Sequence, residues 1–250
     1  MKKIFLIAGT EDARRLAEIL SARFDVTASV VSDYGRKLLQ NCAAKIFDRP
    51  LDRDELEKIF RAENFSAVVD ASHPYAKNIS ANAIAAAQAV KIFYVRYERA
   101  EILPTYEKIF LVDDYESAAD KARALGKNIY LTTGSRNLKI FVERLGDCNL
   151  TARVLPTADV LRLCESFGLT PKQIVAMQGP FSVALNVELF RHAQAEVVVT
   201  KNSGQIGGAD TKLDAAKILN LPVVMIARPK ILYPNVATTF DDVLKLIANN

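Results

Sequence analysis

Residues 200–208 read TKNSGQIGG and follow the apolar run EVVV. An ammonium, an amide and a hydroxyl after a buried strand serve no packing purpose; they suit a ligand with negative charge. Gly204, Gly207 and Gly208 allow the backbone to approach such a ligand closely or to take positive φ. Lys212 lies one turn into the helix that follows, so two ammonium groups and an amide-rich loop are available to carboxylates. The spacing is not that of a G-x-x-x-x-G-K-[ST] phosphate loop. A loop with solvated lysines is the competing reading.

Other strand ends carry similar chemistry. IAGTEDAR (7–14) has Gly9 and then Thr10, which reads as a helix N-cap. The helix start offers N–H groups to a phosphate, but Glu11 and Asp12 would repel one, and a single glycine is a weak dinucleotide signal. VVSDYGRK (30–37) falls where a dinucleotide fold meets the adenosine ribose, which makes Ser32 and Arg36 candidates. Asp33 and Arg36 together leave NADH and NADPH both open, and a solvated turn explains them equally well. In DASHPYA (70–76), Ser72 and Pro74 read as helix-start chemistry, while His73 is either a ligand contact or an ordinary surface histidine. His192 reads as an exposed helix residue.

In the second half, Thr132, Thr133, Gly134 and Ser135 precede a helix as an anion cradle of hydroxyls and amides. Arg153 stands near a strand end, and Gly179, Pro180 and Ser182 mark another strand-to-helix turn. Each has an ordinary reading as turn or cap chemistry. Their recurrence along one edge of one sheet points to a binding rim.

These side chains are positioned by strand-like and helix-like runs that alternate throughout the chain. Strands are expected at 3–9, 25–32, 44–48, 67–72, 91–97, 108–112, 128–132, 149–154, 173–177, 195–199 and 222–227. Amphipathic runs separate most of them, and FDDVLKLIANN reads as a final helix. The alternation predicts an α/β fold of two Rossmann-like domains with mainly parallel sheets and a ligand cleft between them. The domains are expected at 1–99 and 100–250, joined by ERAEILPTYE. One large doubly wound sheet is the alternative. Ligands belong at the carboxyl ends of the strands in either case.

At 250 residues, 50% hydrophobic and with net charge +4, the chain has a real core and a mildly basic surface. No Lys/Arg run suggests a nucleic-acid footprint, no apolar stretch suggests a membrane span, and the N-terminus fails as a signal peptide. Cys42, Cys148 and Cys164 have neither metal nor redox spacing, so no metal is expected and a reducing cytoplasm is.

IAGTEDARRLA, DASHPYA, YLTTGS, ARVLPT, GPFSVALN, VTKNSG and GG…TKLDAA, in that order, resemble the precorrin-6A reductase and cobalt-precorrin-6A reductase family of cobalamin biosynthesis, over roughly residues 2–229. The resemblance implies reduction of one double bond of an acidic tetrapyrrole-derived macrocycle, with or without cobalt, by NADPH, NADH not being excluded. Carried over, Gly9, Thr10 and Arg14 with Ser72, His73 and Tyr75 serve the cofactor. Thr132, Thr133, Gly134, Ser135, Gly179, Ser182, Lys201, Asn202, Ser203 and Gly204 frame the macrocycle and the nicotinamide. Arg96, Arg99, Arg153, Lys201 and Lys212 are expected to anchor its carboxylates. Lys201, Asn202 and Ser203 are the catalytic candidates, Lys201 as the positive charge that meets electron density arriving with the hydride. Asn202 stands where the family has an acid and cannot donate a proton as one. A cofactor-free tetrapyrrole synthase or lyase and a non-catalytic nucleotide-binding regulator are the alternatives; the oligomeric state is left open.

Overall fold

The computed structural model describes residues 1–31, 33–99, 106–203 and 209–250, in two compact units. The first comprises Met1–Ala100 with Pro229–Asn250, the second Glu101–Arg228. The tail from 229 therefore belongs with the first unit, not with the second domain as the sequence suggested. It adds a strand to the first sheet.

The first unit opens with β1 (Lys3–Ile7), α1 (Glu11–Ser21), β2 (Asp25–Ser29), α2 (Asp33–Leu39) and β3 (Lys45–Phe47). It continues through α3 (Arg53–Glu63), β4 (Ala67–Asp70), α4 (Lys77–Val90) and β5 (Phe93–Tyr97). Apolar residues bury both faces of the sheet. Ile4, Leu6, Ala13, Leu16, Ala17 and Leu20 pack on one side, and Phe5, Phe60, Phe65, Ala83, Ala86 and Ala87 on the other. The alanines of α4 let that helix lie close to the Phe5, Phe60 and Phe65 rings, which meet edge-on at 5.1–6.0 Å.

The second unit contains β6 (Ile109–Val112), α5 (Tyr115–Leu125), β7 (Asn128–Leu131), α6 (Leu138–Arg144) and β8 (Asn149–Val154). α7 (Ala158–Ser166), β9 (Ile174–Ala176), α8 (Val183–His192), β10 (Val197–Lys201), α9 (Ala209–Ile218) and β11 (Val223–Ile226) follow. The tail supplies β12 (Val236–Ala237) and α10 (Phe240–Ala248). The sequence missed α2, where Gly35 reads as a turn, and β12, whose two residues carry no periodicity and form a strand only by pairing with Arg96 and Tyr97.

Both sheets have six strands, all parallel. The first runs β12-β5-β4-β1-β2-β3, the second β6-β11-β10-β7-β8-β9. Strand order reverses between β1 and β4 in the first unit and between β7 and β10 in the second. Ligands of open α/β sheets bind outside the carboxyl ends of strands at such reversals.

Candidate functional site

In the first unit, Ile7 is level with Ser29 and Asp70, so the segments after β1, β2 and β4 form one rim. Gly9 turns the chain with φ +136°, a value that disfavours any side chain, and a Cβ there would meet no atom within 4 Å. Thr10 then caps α1, accepting from the Ala13 amide at 3.0 Å. Its hydroxyl also donates to the Ala71 carbonyl at 3.2 Å, which ties the ends of β1 and β4 across the reversal. The acids expected to repel a phosphate are matched by arginines. Glu11 pairs with Arg15 at 2.9 Å, and buried Asp12 lies 2.8 Å from Arg99. Burial raises the Asp12 pKa, against the pull of Arg99 and Arg15. Arg14 points along the helix surface toward Glu11 and Glu18, both at 3.9 Å.

The DASHPY turn is organised around a buried ion pair. The Asp70 carboxylate accepts from Arg96 (2.9 Å), Ser80 (2.6 Å), Tyr94 (2.7 Å) and the Ser72 amide (3.0 Å). Burial alone would raise its pKa; the Arg96 charge and these hydrogen bonds hold it below the usual carboxylate range. Ser72 accepts from Arg96 at 3.1 Å and so belongs to this network; it does not cap α4, whose N-cap is Ala76 without a side-chain bond. Pro74 lies before that cap and does not open the helix. The His73 ring nitrogen accepts from the Tyr75 amide at 3.2 Å, and the two rings are 5.6 Å apart, so both shape the turn. Arg96, expected as a carboxylate anchor, is paired with Asp70 and with Glu98 at 2.7 Å, and Arg99, expected as another, is paired with Asp12, so both charges have carboxylate partners within the first unit. Arg36 is exposed on α2, 3.6 Å from Asp48. Ser32 lies outside the described residues.

The second unit brings most of the other candidates to the β7/β10 rim. Thr132 donates to the Val199 carbonyl at 3.0 Å, fastening β7 to β10 as Thr10 fastens β1 to β4. Gly134 takes φ +78° with open space where a Cβ would stand, and Ser135 follows at the turn into α6. The hydroxyls of Thr133 and Thr200 are buried and make no hydrogen bond among the described residues. Lys201 is the last residue of β10, level with Ile226, so the strand runs two residues past its expected end. Asn202 and Ser203 are buried; the Asn202 amide donates to the Ile226 carbonyl, and its carbonyl accepts from Arg228 at 2.8 Å. Gly204 lies outside the described residues.

Around this rim stand Lys201, Lys212 on α9 and Arg153 on β8. Burial, then the charge of Arg136, lowers the Lys201 pKa to about 8. Burial, then Arg153 and Lys201, lowers Lys212 to about 7, with Asp210 opposing. The charges of Arg153 and Lys201 both reach Lys212, which groups the three cations at this rim. Arg153 donates to Asn186 at 2.7 Å and lies with its guanidinium carbon 4.0 Å from the Phe181 ring centre. Gly179 leaves room for that ring, which a Cβ would approach to 3.0 Å. Ser182 is exposed and caps α8 through the Leu185 amide, so its hydroxyl is used locally. The sequence reading passed over Asn186 and Phe181. An asparagine on the buried face of an amphipathic helix was the available signal, because a buried amide needs a partner. His192 is exposed, as expected.

The first rim fits the pyrophosphate of a dinucleotide. Open space above Gly9 permits close approach, and the amides of Glu11 and Asp12 have no protein partner among the described residues. No group of metal-ligating side chains occurs among the described residues, and no helix there is long and apolar enough to cross a membrane.

Two doubly wound parallel sheets, one with a dinucleotide-type turn after its first strand and the other with cations gathered at its β7/β10 rim, define a Rossmann-type α/β protein. The chain belongs to the precorrin-6x reductase family: the model described as "Precorrin-6x reductase CbiJ/CobK" matches residues 3–248. It is 42% identical to the cobalt-precorrin-6A reductase of Priestia megaterium, over 98% of each chain. It is 34% identical to the precorrin-6A reductase of Rhodococcus erythropolis, over 99% of this chain and 97% of that one. The solved structure "CobK precorrin-6A reductase" superposes with a TM-score of 0.82 at 27% identity, covering 100% of this chain and 97% of that chain. The protein is thus a nicotinamide-dependent oxidoreductase of cobalamin biosynthesis that acts on a CH–CH group of a tetrapyrrole-derived substrate.

Proposed function

We propose that the chain reduces cobalt-precorrin-6A to its 6B form with NADPH in the cytoplasm. The observation that carries this reading is the cluster at the β7/β10 rim of Arg153 and Lys212, both buried, with half-buried Lys201. Cations held out of water are costly alone and become favourable when carboxylates join them. The macrocycle bears many such groups. Cobalt enters as part of the substrate: the relatives from Priestia megaterium and Methanocaldococcus jannaschii, at 42% and 37% identity, are both named for the cobalt form. Arg36 on α2 supports NADPH over NADH through the 2′-phosphate. Three cysteines without disulfides accord with a reducing compartment.

The nicotinamide supplies the hydride when bound. Gly9, Thr10 and the first amides of α1 hold its pyrophosphate. Lys212 and Arg153 hold macrocycle carboxylates, while Thr132, Thr133, Gly134 and Ser135 line the rim beside them. Lys201 would present positive charge to the conjugated ring as it gains electron density, with the proton that completes the saturated bond drawn from solvent. Asn202 and Ser203 fix the backbone that carries Lys201.

Purified protein given NADPH and cobalt-precorrin-6A under anaerobic conditions should consume one nicotinamide per macrocycle and yield a product heavier by two hydrogens. Cobalt-free precorrin-6A should react more slowly. Conversion without nicotinamide would identify a synthase or lyase instead, and nicotinamide binding without oxidation a regulator.

A further inference from the structure

Arg96 and Arg153 are both penultimate residues of central parallel strands, yet the protein partners them differently. Arg96 is paired with two carboxylates. Among the described residues Arg153 has no ion pair; its guanidinium donates to the Asn186 amide at 2.7 Å and has the neutral Tyr130 side chain beside it, 6.0 Å from the ring centre. Asn186 is wholly buried in the middle of α8. Its orientation is fixed by chemistry: the Nδ2 group donates to the Ser182 carbonyl at 3.0 Å, which can only accept, so Oδ1 faces Arg153. Nδ2 also lies 3.4 Å from the Thr211 hydroxyl, next to Lys212, so one amide links the elements that carry two of the three cations. The Phe181 ring covers the Arg153 guanidinium, and only 6% of the residue reaches solvent.

We infer that Asn186 is the positioning residue of the carboxylate anchor: its neutral amide aims the Arg153 guanidinium without cancelling the charge that a macrocycle carboxylate must meet. This rests on the reading of the β7/β10 rim as the macrocycle site. An aspartate would make the same hydrogen bond and would turn Arg153 into a closed pair like Arg96–Asp70. A smaller neutral residue would leave the charge but release its aim. The two losses differ in kind, and the Michaelis constant for the macrocycle separates them.

Asn186→Asp should raise KM for cobalt-precorrin-6A by about tenfold or more, and Asn186→Ala by about threefold, with KM for NADPH within about twofold of the parent in both. Equal increases, or a larger one in Asn186→Ala, would reduce Asn186 to a packing residue of α8. A double-mutant cycle covers the case in which the aspartate variant fails to fold. Asn186→Ala should have no further effect on KM for the macrocycle once Arg153→Met is present, because it acts through that side chain. Additive effects in the cycle would overturn the inference. Arg153→Met with unchanged KM for the macrocycle would instead remove the reading of the rim on which it stands.

Discussion

The Arg96 guanidinium lies 2.9 Å from the Asp70 carboxylate, and the two side chains are 1% and 0% exposed. Removing one partner of a buried pair strands the other charge. Arg96→Met should therefore lower the stability of the first unit by about 3–5 kcal/mol, seen as a reduced urea midpoint. Asp70 has a folded-state pKa below its unfolded value, so its contribution is complete above the ordinary carboxylate range. It is lost as pH falls through the folded value. Acid unfolding below about pH 4 should become less steep in Asp70→Asn, and an unchanged acid limb would show that other carboxylates control it.

Lys212 behaves in the opposite sense. Its pKa falls from 10.5 to about 7 on folding. The unfolded chain thus binds more protons between those values, and this group makes stability rise with pH across that window. Lys212→Met should stabilise the protein most at or below pH 7, and the gain should shrink toward pH 10, as read from denaturant curves at several pH values.

The same lysines set a pH dependence of turnover. With Lys201 titrating at about 8 and Lys212 at about 7, both lose the charge that carboxylates require as pH rises. kcat/KM for the macrocycle should fall from pH 7 to 9. In Lys212→Arg, whose cation does not titrate there, the lower inflection should disappear; an identical profile would remove Lys212 from binding.

Lys201→Ala should lower kcat by about 100-fold while NADPH affinity, measured by cofactor fluorescence, stays within about twofold. Equal turnover in the variant would exclude an electrostatic role for this strand-end lysine.

Arg36→Ala should raise KM for NADPH about tenfold and leave that for NADH nearly unchanged, if the guanidinium meets a 2′-phosphate. Equal effects on both nucleotides would remove Arg36 from recognition of a 2′-phosphate.

The parallel α/β architecture was legible because each buried strand is an apolar run and most helices show an apolar face with a capping residue before it. Thr10 caps α1 as its position predicts. The Thr10–Ala71 and Thr132–Val199 bonds were not legible, since each joins segments more than sixty residues apart. Ser72 was misread for a related reason: a serine before a helix-like run reads as a cap, whereas here Arg96, from another strand, claims its hydroxyl.

The sequence by itself determined the alternation of elements, the strand-end placement of Lys201, the glycines at turns and the family resemblance. Those features depend on neighbours along the chain. The tertiary structure decided which charges are spent and which remain available. Arg96 and Arg153 are alike in local sequence setting, but sheet order sets one beside Asp70 and helix packing sets the other against Asn186. A charge is neutralised by whatever the fold brings within about 4 Å of it, and that neighbour comes from a different element.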